Sequence, residues 1–483
     1  MKKADIALIG LAVMGENLAM NMESKGFTVA VFNRENGVVD KFINGRGKNK
    51  SFIGAHTLEE LVEKTEKPRK IMMMIKAGSP VDEVIEKLIP LLEKGDIIID
   101  GGNSHFEDTE RRTKYVESKG LFYIGTGVSG GEEGALNGPS MMPGGSEKAW
   151  QSVKPIFQAI CARTDDGTPC CDWVGSGGAG HFVKMVHNGI EYGDMELISE
   201  IYHFMKVILE FSAEDMHRVF SQWSEGRLGS YLIDITAEIF TVKDEDGTPL
   251  VEKILDSAGQ KGTGKWTGIT ALSEGVPLTL ITESVFARYL SSMKEERAEA
   301  SKELTGPFID FKGEREEYVG RMEEALYCAK IISYAQGYAL MREASRKYNW
   351  KLNFGGIALM WRGGCIIRSV FLDKIKEAFD KNKDLKNLLL DGYFKNEVLG
   401  GMESLRKICA ICMLNGVYAP SLSAALIYFD GYRSEKLPAN LIQAQRDFFG
   451  AHTYERTDFP RGKFFHTNWT GKGGNTASTS YNA

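Results

Sequence analysis

The sequence lacks the segments that carry proteins into or across a membrane. No apolar run reaches the about 20 residues that a membrane-spanning helix needs. The amino-terminal residues Met-Lys-Lys-Ala-Asp-Ile enter a strand-like pattern at once, without the apolar stretch and cleavage site of a secretory signal. We therefore expect a cytoplasmic protein that has no membrane partner.

Positive charge is scarce as well. The chain has 59 Lys and Arg against 65 Asp and Glu, which gives a formal net charge of -6 at pH 7. Nucleic-acid binding needs clustered positive charge to meet the phosphate backbone, so we expect no nucleic-acid partner. The 43% of hydrophobic and 26% of charged residues are typical of a globular protein. At 483 residues the chain is long enough for about two to four domains.

Cysteine is rare, and its spacing is not that of a disulfide framework. The seven cysteines, an odd number, are scattered along the chain, so we expect reduced thiols. Cys409 and Cys412 have C-x-x-C spacing, but they lie in an apolar helix-like run without a histidine or a second pair beside them. We interpret them as core residues rather than a redox or metal site. No group of Asp, Glu, His or Cys has metal-ligand spacing, and we expect no metal.

What the sequence does contain is an alternation of strand and helix patterns in its first third. Strand patterns occur at residues 4–10, 27–32, 70–75, 96–100 and 121–125, and helical patterns at 14–25, 79–95 and 107–120. Such alternation predicts an α/β domain with a parallel, doubly wound, Rossmann-like sheet. Long helical periodicities then predict a large all-α domain up to about residue 435. The remaining stretch is polar and glycine-rich, so it is either disordered or packs against a partner.

A glycine motif follows the first predicted strand and opens the first helix. Gly10-Leu-Ala12-Val-Met14-Gly15 has the context of a dinucleotide fingerprint. The first glycine allows a tight turn, the last lets the helix pack on the strand, and the helix N-terminus offers N–H groups to a pyrophosphate. A glycine turn without a ligand remains the alternative. Ala12 replaces the usual middle glycine, and its methyl group moves the pyrophosphate slightly outward.

Asn33 and Arg34 end the second predicted strand, where an NAD-binding chain carries Asp or Glu. Arginine favours a 2′-phosphate, so the sequence predicts NADP over NAD. Glu35 comes next and repels a phosphate dianion unless its side chain turns to solvent, which weakens the predicted preference. Three glycine-containing loops, at residues 76–78, 100–104 and 127–134, follow other strands at the edge where open α/β sheets bind ligands. The third offers N–H groups and a hydroxyl to a carboxylate or another oxyanion.

One predicted helix has an unusual polar face. At roughly 100° per residue, Lys184, His187, Asn188, Glu191 and Tyr192 fall within an arc of about 140°. This set suits proton transfer on a bound substrate, and the alternative is a solvated helix face. Further along, the segment at 261–265 lacks the spacing of a phosphate loop, and its Lys261 and Thr263 either hold a small phosphate or form an ordinary turn. Arg288, taken alone, is expected to be a surface residue.

Together these motifs closely resemble the 6-phosphogluconate dehydrogenase family over essentially the full length. The most specific stretches lie at residues 10–15, 127–131, 184–192, 445–452 and 466–469. The resemblance implies an NADP-dependent enzyme of the pentose phosphate pathway. Such an enzyme oxidises 6-phosphogluconate at carbon 3, releases carbon dioxide and forms ribulose 5-phosphate without a metal.

The resemblance also implies a role for each matching residue. Lys184 would act as general base and then, protonated, as general acid, and Glu191 would donate a proton to carbon 1. The implied substrate-binding residues are Asn103, Ser129, Gly130, Gly131, His187, Asn188, Tyr192, Lys261, Thr263, Arg288, Arg446 and His452. The implied cofactor-binding residues are Gly10, Ala12, Met14, Gly15, Asn33, Arg34, Lys76 and Asn103.

The resemblance further implies a homodimer in which each tail completes the neighbouring active site. We accordingly expect a dinucleotide-binding domain at 1–176, an all-helical substrate and dimerisation domain at 177–435, and a tail at 436–483 that reaches the partner subunit. The nearest rival is another β-hydroxyacid dehydrogenase that acts on an unphosphorylated hydroxyacid, but those chains are far shorter. A non-catalytic NADP-binding protein is the rival of another class, although Lys184 and Glu191 are intact.

Overall fold

Eight strands form one sheet in the amino-terminal part of the computed structural model, which describes residues 2–473 and 477–478. The strands are β1 Ile6–Ile9, β2 Val29–Phe32, β3 Phe52–Ala55, β4 Lys70–Met73, β5 Ile97–Asp100, β6 Phe122–Ser129, β7 Ser140–Gly145 and β8 Gly175–Ser176. Their order across the sheet is β3-β2-β1-β4-β5-β6-β7-β8. The helices between them are α1 Val13–Ser24, α2 Asn36–Asn44, α3 Leu58–Glu63, α4 Ser79–Leu88, α5 Phe106–Ser118, α6 Gly131–Asn137 and α7 Glu147–Ile160.

This arrangement confirms the predicted Rossmann-like fold, with several differences in detail. Seven elements of this domain were not predicted, namely α2, β3, α3, α6, β7, α7 and β8, and β7 runs antiparallel to β6. The predicted helix at 79–95 was too long. It ends at Leu88, before a short 3-10 turn that contains Pro90. Proline removes a backbone donor and its ring clashes with the preceding turn, which explains the early end.

Apolar side chains cover both faces of the sheet, as parallel strands require. On one face Leu8 and Met72 pack with Leu18 and Phe157 of the flanking helices. On the other face Met73 belongs to a separate cluster that includes residues of α3, α4 and α5. The core therefore consists of two apolar layers with the sheet between them.

The following part of the chain is helical, as predicted. Its helices are α8 Ala179–Val207, α9 Ala213–Ser224, α10 Tyr231–Ile239, α11 Thr263–Ser273, α12 Thr279–Ser292, α13 Lys294–Glu303, α14 Arg315–Tyr348, α15 Phe354–Met360, α16 Leu372–Lys381, α17 Gly392–Leu414 and α18 Pro420–Tyr432. Within the described residues, none of the helices combines the length and the apolar character that crossing a membrane demands. All seven cysteines are free and buried, which agrees with the expectation of reduced thiols.

Glycines bring the start of α8 into close contact with β6 and β7. A Cβ placed on Gly180 would lie 2.2 Å from the carbonyl oxygen of Gly125 and 2.5 Å from that of Met142. A Cβ on Gly127 would lie 2.2 Å from the Cβ of Lys184. All three distances are shorter than real Cβ atoms show, so the helix and the strands approach each other only because these side chains are absent.

The chain divides into two compact units, one up to Leu426 and one from Ile427 onward. In the second unit, α19 spans Ala439–Gly450, and β9 (Tyr454–Glu455) pairs antiparallel with β10 (Phe464–Phe465). Among the described residues, the second unit is therefore a folded segment with a helix and a short hairpin. For the final residues the sequence left disorder and packing on a partner both open. Residues 474–476 and 479–483 lie outside the part of the chain that the structure describes.

The fully buried Asp447 organises this second unit. Its carboxylate accepts hydrogen bonds from the backbone N–H of Thr453 at 2.9 Å, that of Thr467 at 3.0 Å and Nε1 of Trp469 at 2.9 Å. The Nδ1 atom of His466 lies 2.9 Å away. Burial acts to raise the pKa of Asp447, but these hydrogen bonds outweigh it, and the pKa is below its ordinary value.

We predict that Gly180→Ala lowers the stability of the first unit, because the new methyl group would meet two backbone carbonyls that cannot move aside. The expected loss is about 1–3 kcal/mol, measured as a lower unfolding midpoint in urea. Gly400→Ala is the matched control, since this glycine of α17 has open space at its Cβ position. Because alanine favours a helix more than glycine does, Gly400→Ala should raise the free energy of unfolding by up to about 1 kcal/mol. Equal stability of the Gly180→Ala and wild-type proteins would contradict the close contact.

Candidate active site

The glycine motif forms a tight turn between β1 and α1. Gly10 has a φ of +101°, and a Cβ on Gly15 would lie 1.9 Å from the carbonyl oxygen of Gly10. Ala12 is the N-cap of α1 and makes no side-chain capping hydrogen bond. The two glycines therefore let the helix start pack directly on the end of β1, and the first N–H groups of α1 suit a pyrophosphate.

The other predicted cofactor residues lie along the same edge of the sheet. The side-chain oxygen of Asn33 accepts a hydrogen bond from the N–H of Leu11 at 3.2 Å and so ties the end of β2 to the glycine turn. Arg34 is exposed after β2, and Lys76 is exposed after β4. Met14 is half-buried in the first turn of α1, and Asn103 is exposed after β5. Since β2, β1, β4 and β5 are neighbours, these residues follow four adjacent strands.

The polar side chains of α8 lie on a face that is buried, not solvated. His187 is fully buried, and Lys184, Asn188 and Tyr192 are nearly so, whereas Glu191 is partly exposed. Nζ of Lys184 lies 3.3 Å from Nδ1 of His187, and the side-chain oxygen of Asn188 lies 3.1 Å from the same nitrogen. Oε2 of Glu191 is 3.9 Å from it. The imidazole therefore stands between the lysine and the glutamate.

Burial shifts the pKa values of these groups in opposite directions. It lowers the pKa of Lys184 from its ordinary value, although the charge of Glu191 opposes the change. It raises the pKa of Glu191 against the opposing charges of Lys184 and Arg288. Burial and the charge of Lys184 hold the pKa of His187 well below its ordinary value, so the ring is neutral. The lysine is shifted toward its basic form and the glutamate toward its acidic form.

The turn after β6 faces the imidazole of α8. The Oγ atom of Ser129 lies 3.3 Å from Nε2 of His187. Gly130 and Gly131 follow with φ values of +113° and +62°, which favour glycine. The turn thus offers a hydroxyl and a flexible run of N–H groups beside the polar face of α8.

An arginine closes the far end of this face. The guanidinium of Arg288 lies 3.6 Å above the ring of Tyr192, and its Nη1 donates to the carbonyl of Gly259 at 3.3 Å. It is half-buried, unlike the surface arginine expected from its helix alone. Lys261 is exposed just before α11, and Thr263 is the buried first residue of that helix. This end of α11 packs on Tyr192, since a Cβ on the neighbouring glycine at 264 would lie 2.5 Å from its ring.

Two predicted substrate residues belong to the second unit. Arg446 is on α19 and donates from Nη1 to the side-chain oxygen of Gln443 at 3.0 Å. His452 follows that helix, and its Nδ1 lies 3.1 Å from Oγ of Ser478. Both are half-buried.

The sequence analysis missed the segment after α15. The ring of Trp361 contacts that of His187 with centroids 5.8 Å apart, and the thiol of Cys365 lies close enough to influence the pKa of Lys184. A Cβ on Gly130 would lie 2.7 Å from the carbonyl oxygen of Gly364. The Gly363-Gly364 pair was the only signal of a turn, and nothing local connects this segment to residues more than 170 positions earlier.

The arrangement can carry out proton chemistry on a hydroxyl compound. A buried lysine can accept a proton, a partly exposed glutamic acid can donate one, and the neutral imidazole and amide between them can hold hydroxyl groups. In the part of the chain that the structure describes, no group of three or more His, Cys, Asp or Glu could hold a metal ion.

Two protein-family models match almost the whole chain. The NAD binding domain of 6-phosphogluconate dehydrogenase matches residues 5–175, and the 6-phosphogluconate dehydrogenase C-terminal domain matches residues 180–469. Curated relatives carry the same name. The decarboxylating 6-phosphogluconate dehydrogenase of Treponema pallidum (strain Nichols) is 59% identical over 484 residues and is covered over 99% of both chains. That of Mus musculus is 57% identical over the full length of both.

A solved structure agrees with these sequence matches. The 6-phosphogluconate dehydrogenase of Plasmodium falciparum has been described in its apo form, in complex with its cofactor NADP+ and in complex with its substrate 6-phosphogluconate. It superposes with a TM-score of 0.93 at 46% identity and covers 96% of this chain and 100% of its own. The matched models and relatives account for both the sheet domain and the helical domain. The chain belongs to the 6-phosphogluconate dehydrogenase family.

Proposed function

We propose that this protein catalyses the oxidative decarboxylation of 6-phosphogluconate to ribulose 5-phosphate and carbon dioxide, with reduction of NADP. The observation that carries the proposal is the pair on α8: a buried Lys184 whose pKa is lowered and a Glu191 whose pKa is raised. Its relative from Plasmodium falciparum was solved with this cofactor and this substrate. A cytoplasmic location remains a prediction from the sequence.

The residues present fit NADP. The glycine turn packs the start of α1 tightly on β1, because a Cβ on Gly10 or Gly15 would meet a backbone carbonyl, so the free N–H groups at the start of α1 lie at the sheet edge, and Arg34 suits a 2′-phosphate. Ala12, Met14, Asn33, Lys76 and Asn103 complete the proposed contacts. Bound NADP supplies a hydride acceptor. It does not supply the proton transfers, which fall to the protein.

In the proposed mechanism, neutral Lys184 accepts the proton of the 3-hydroxyl as hydride leaves carbon 3. The resulting ammonium then donates a hydrogen bond to the ketone oxygen, which favours loss of carbon dioxide from the β-keto acid. As carbon dioxide leaves, Lys184 returns its proton to the enolate oxygen, which gives the enediol. Protonated Glu191 then gives a proton to carbon 1 while the proton of the adjacent hydroxyl passes to neutral Lys184, and ribulose 5-phosphate is formed. Burial serves both residues, because a buried environment disfavours the charged form of each.

The remaining site residues are proposed to bind the substrate. Asn103, His187 and Asn188 hold the sugar hydroxyls, and Ser129, Gly130 and Gly131 hold the carboxylate. Tyr192, Lys261, Thr263, Arg288 and Arg446 bind the phosphate, with His452 beside them. Because Arg288 already lies against Tyr192, a phosphate there would meet a positioned guanidinium that can bind two oxygens at once.

We further propose a homodimer in which residues 436–483 of each chain complete the site of the other. Helix α19 supports this, because Leu441, Ile442, Phe448 and Phe449 are all exposed and form an apolar face that a lone chain would leave in water. The first unit contains a cavity of about 970 Å³ whose lining includes Gly130 of the proposed carboxylate-binding turn together with acidic, basic and hydroxyl side chains. The proposed domains at 1–176 and 177–435 would carry the cofactor and the substrate.

We predict that Lys184→Ala reduces the rate of NADP reduction about 10²- to 10⁴-fold while NADP binding, followed by fluorescence titration, is retained. Lys206→Ala is the control, since Lys206 lies on the same helix but is half-exposed and pairs with Glu252.

For the wild type, kcat/KM should fall as the pH is lowered through the pKa of Lys184, because a protonated lysine cannot accept a proton. A Lys184→Ala rate within threefold of the wild type would remove Lys184 from the mechanism. Activity on an unphosphorylated hydroxyacid alone would favour the rival dehydrogenases.

The Arg34→Ala variant tests the predicted recognition of the 2′-phosphate. We expect its Kd for NADP to rise much more than its Kd for NAD, since only NADP carries the group that the guanidinium would bind. Lys41→Ala, an exposed cation on α2, should change neither constant. An equal increase in Kd for NADP and NAD would mean that another residue binds the 2′-phosphate.

Mixed dimers test the exchange of tails. We expect Arg446→Ala to raise the KM for 6-phosphogluconate far more than the KM for NADP. When inactive Lys184→Ala chains are refolded together with Arg446→Ala chains, the mixed dimer should contain one intact site, made of a normal Lys184 and a normal tail from its partner. Activity at low substrate should therefore exceed the sum of the two separate variants. No recovery in verified mixed dimers would mean that each chain uses its own tail.

A further inference from the structure

A buried arginine lies beneath the proposed cofactor and substrate loops, and the mechanism above does not use it. Arg112 is on α5, and its side chain is 1% exposed. Its Nε and Nη2 donate to the two carboxylate oxygens of Asp82 at 2.9 and 2.8 Å. The bidentate pair fixes the plane of the guanidinium.

The same guanidinium holds the loop that follows β4. Nη2 of Arg112 donates to the carbonyl of Gly78 at 2.9 Å. Gly78 has a φ of +97° and is the N-cap of α4, so this carbonyl lies where the loop at 76–78 turns into the helix. The loop carries the exposed Lys76, which is a proposed cofactor contact.

The other side of the guanidinium faces the loop that follows β5. Nη1 of Arg112 lies 3.5 Å from Oγ of Ser104 and 3.7 Å from the carboxylate of Asp100. Asp100 is fully buried and accepts hydrogen bonds from the hydroxyl of Ser104 at 2.6 Å and the N–H of Gly102 at 3.0 Å. The loop at 101–104 is therefore wrapped around Asp100, and its tip presents Asn103 to solvent.

The guanidinium of Arg112 thus contacts both the loop at 76–78 and the loop at 101–104. The guanidinium is planar and held by Asp82, so it cannot follow a shift of one loop without changing its distance to the other. The two loops carry Lys76 and Asn103, which are proposed to meet the cofactor, and Asn103 is also proposed to meet the substrate. A ligand that orders one loop restrains the other through this group.

We propose that Arg112 is a positioning residue that fixes the loops at 76–78 and 101–104 relative to each other and so couples binding of the nicotinamide cofactor to binding of the sugar acid. The proposal rests on the proposed function. Coupling of this kind is reciprocal: each ligand changes the affinity of the other by the same factor. A merely structural arginine would affect stability and leave that factor unchanged.

The test is a pair of calorimetric titrations with 6-phosphogluconate, in the absence and in the presence of saturating NADPH, which cannot be reduced further. We expect NADPH to tighten the wild-type Kd about fivefold or more, within the usual range of coupling. In Arg112→Met the factor should fall below about twofold. Arg112→Lys keeps the charge but can no longer bind Asp82 through two donors while holding Gly78, so we expect the same loss.

Arg111→Met is the matched control. Arg111 is the preceding residue, and its side chain is 56% exposed. It pairs with Asp82 at 3.0 Å, and within the part of the chain that the structure describes it makes no hydrogen bond to either loop. Its coupling factor should equal that of the wild type. Ser104→Ala removes the hydroxyl between Asp100 and Arg112 and should lower the factor even if the Arg112 variants fail to fold.

Each outcome bears on one of the two proposals. A wild-type coupling factor near one, or an unchanged factor in Arg112→Lys and Ser104→Ala, would overturn the role of Arg112. An Arg111→Met protein that also loses coupling would overturn it too, because the effect would then belong to Asp82. Failure of wild-type protein to bind NADPH at all would instead reject the proposed function.

Discussion

The close approach of α8 to β6 and β7 is the constraint on which the site depends. Gly125, Gly127 and Gly180 remove the side chains that would hold the helix away from the strands. Lys184 therefore starts from a backbone position packed against the sheet, and its side chain is nearly fully buried where its amine reaches His187. Burial, which shifts the pKa of the lysine, is in this way a result of three missing methyl groups. The same three glycines therefore determine both how α8 packs on the sheet and how far the pKa of Lys184 is lowered.

Buried ionisable side chains continue along α8 beyond the candidate site. Asp194 forms a fully buried pair with Lys330 of α14 at 2.7 Å. Almost two turns further, Glu200, whose pKa burial raises to about 8, accepts hydrogen bonds from the N–H groups of Ser421 and Leu422 at the start of α18. Buried groups of this kind add little net stability, because desolvation offsets their favourable interactions. Their geometric demands are strict, however, and they specify how α14 and α18 pack on α8.

Sequence reasoning succeeded where the signal was local. The alternation of strands and helices, the glycine turn at Gly10 and the polar face of α8 each lie within one or two neighbouring elements. Contacts between residues that lie far apart in the sequence were not predicted. The contact of Gly364 with Gly130 and the network around Arg112 have no periodicity or motif, and Arg288 looked like a surface residue because Tyr192 lies almost 100 positions away. The antiparallel β7 and the short helix α6 before it were not predicted, because the glycine-rich residues 127–134 were interpreted as a loop.

The seven buried thiols have a practical consequence for the study of this protein. Burial raises the pKa of Cys170 to about 11 and that of Cys365, Cys409 and Cys412 to about 12, so these four thiols carry almost no thiolate at neutral pH, and all seven cysteines are buried away from reagents in solution. Thiolate, rather than thiol, reacts with maleimide and iodoacetamide reagents. A single cysteine introduced on the surface would therefore be the fast-reacting sulfur of the folded chain. Fluorophores or spin labels can be attached there without first removing the native cysteines.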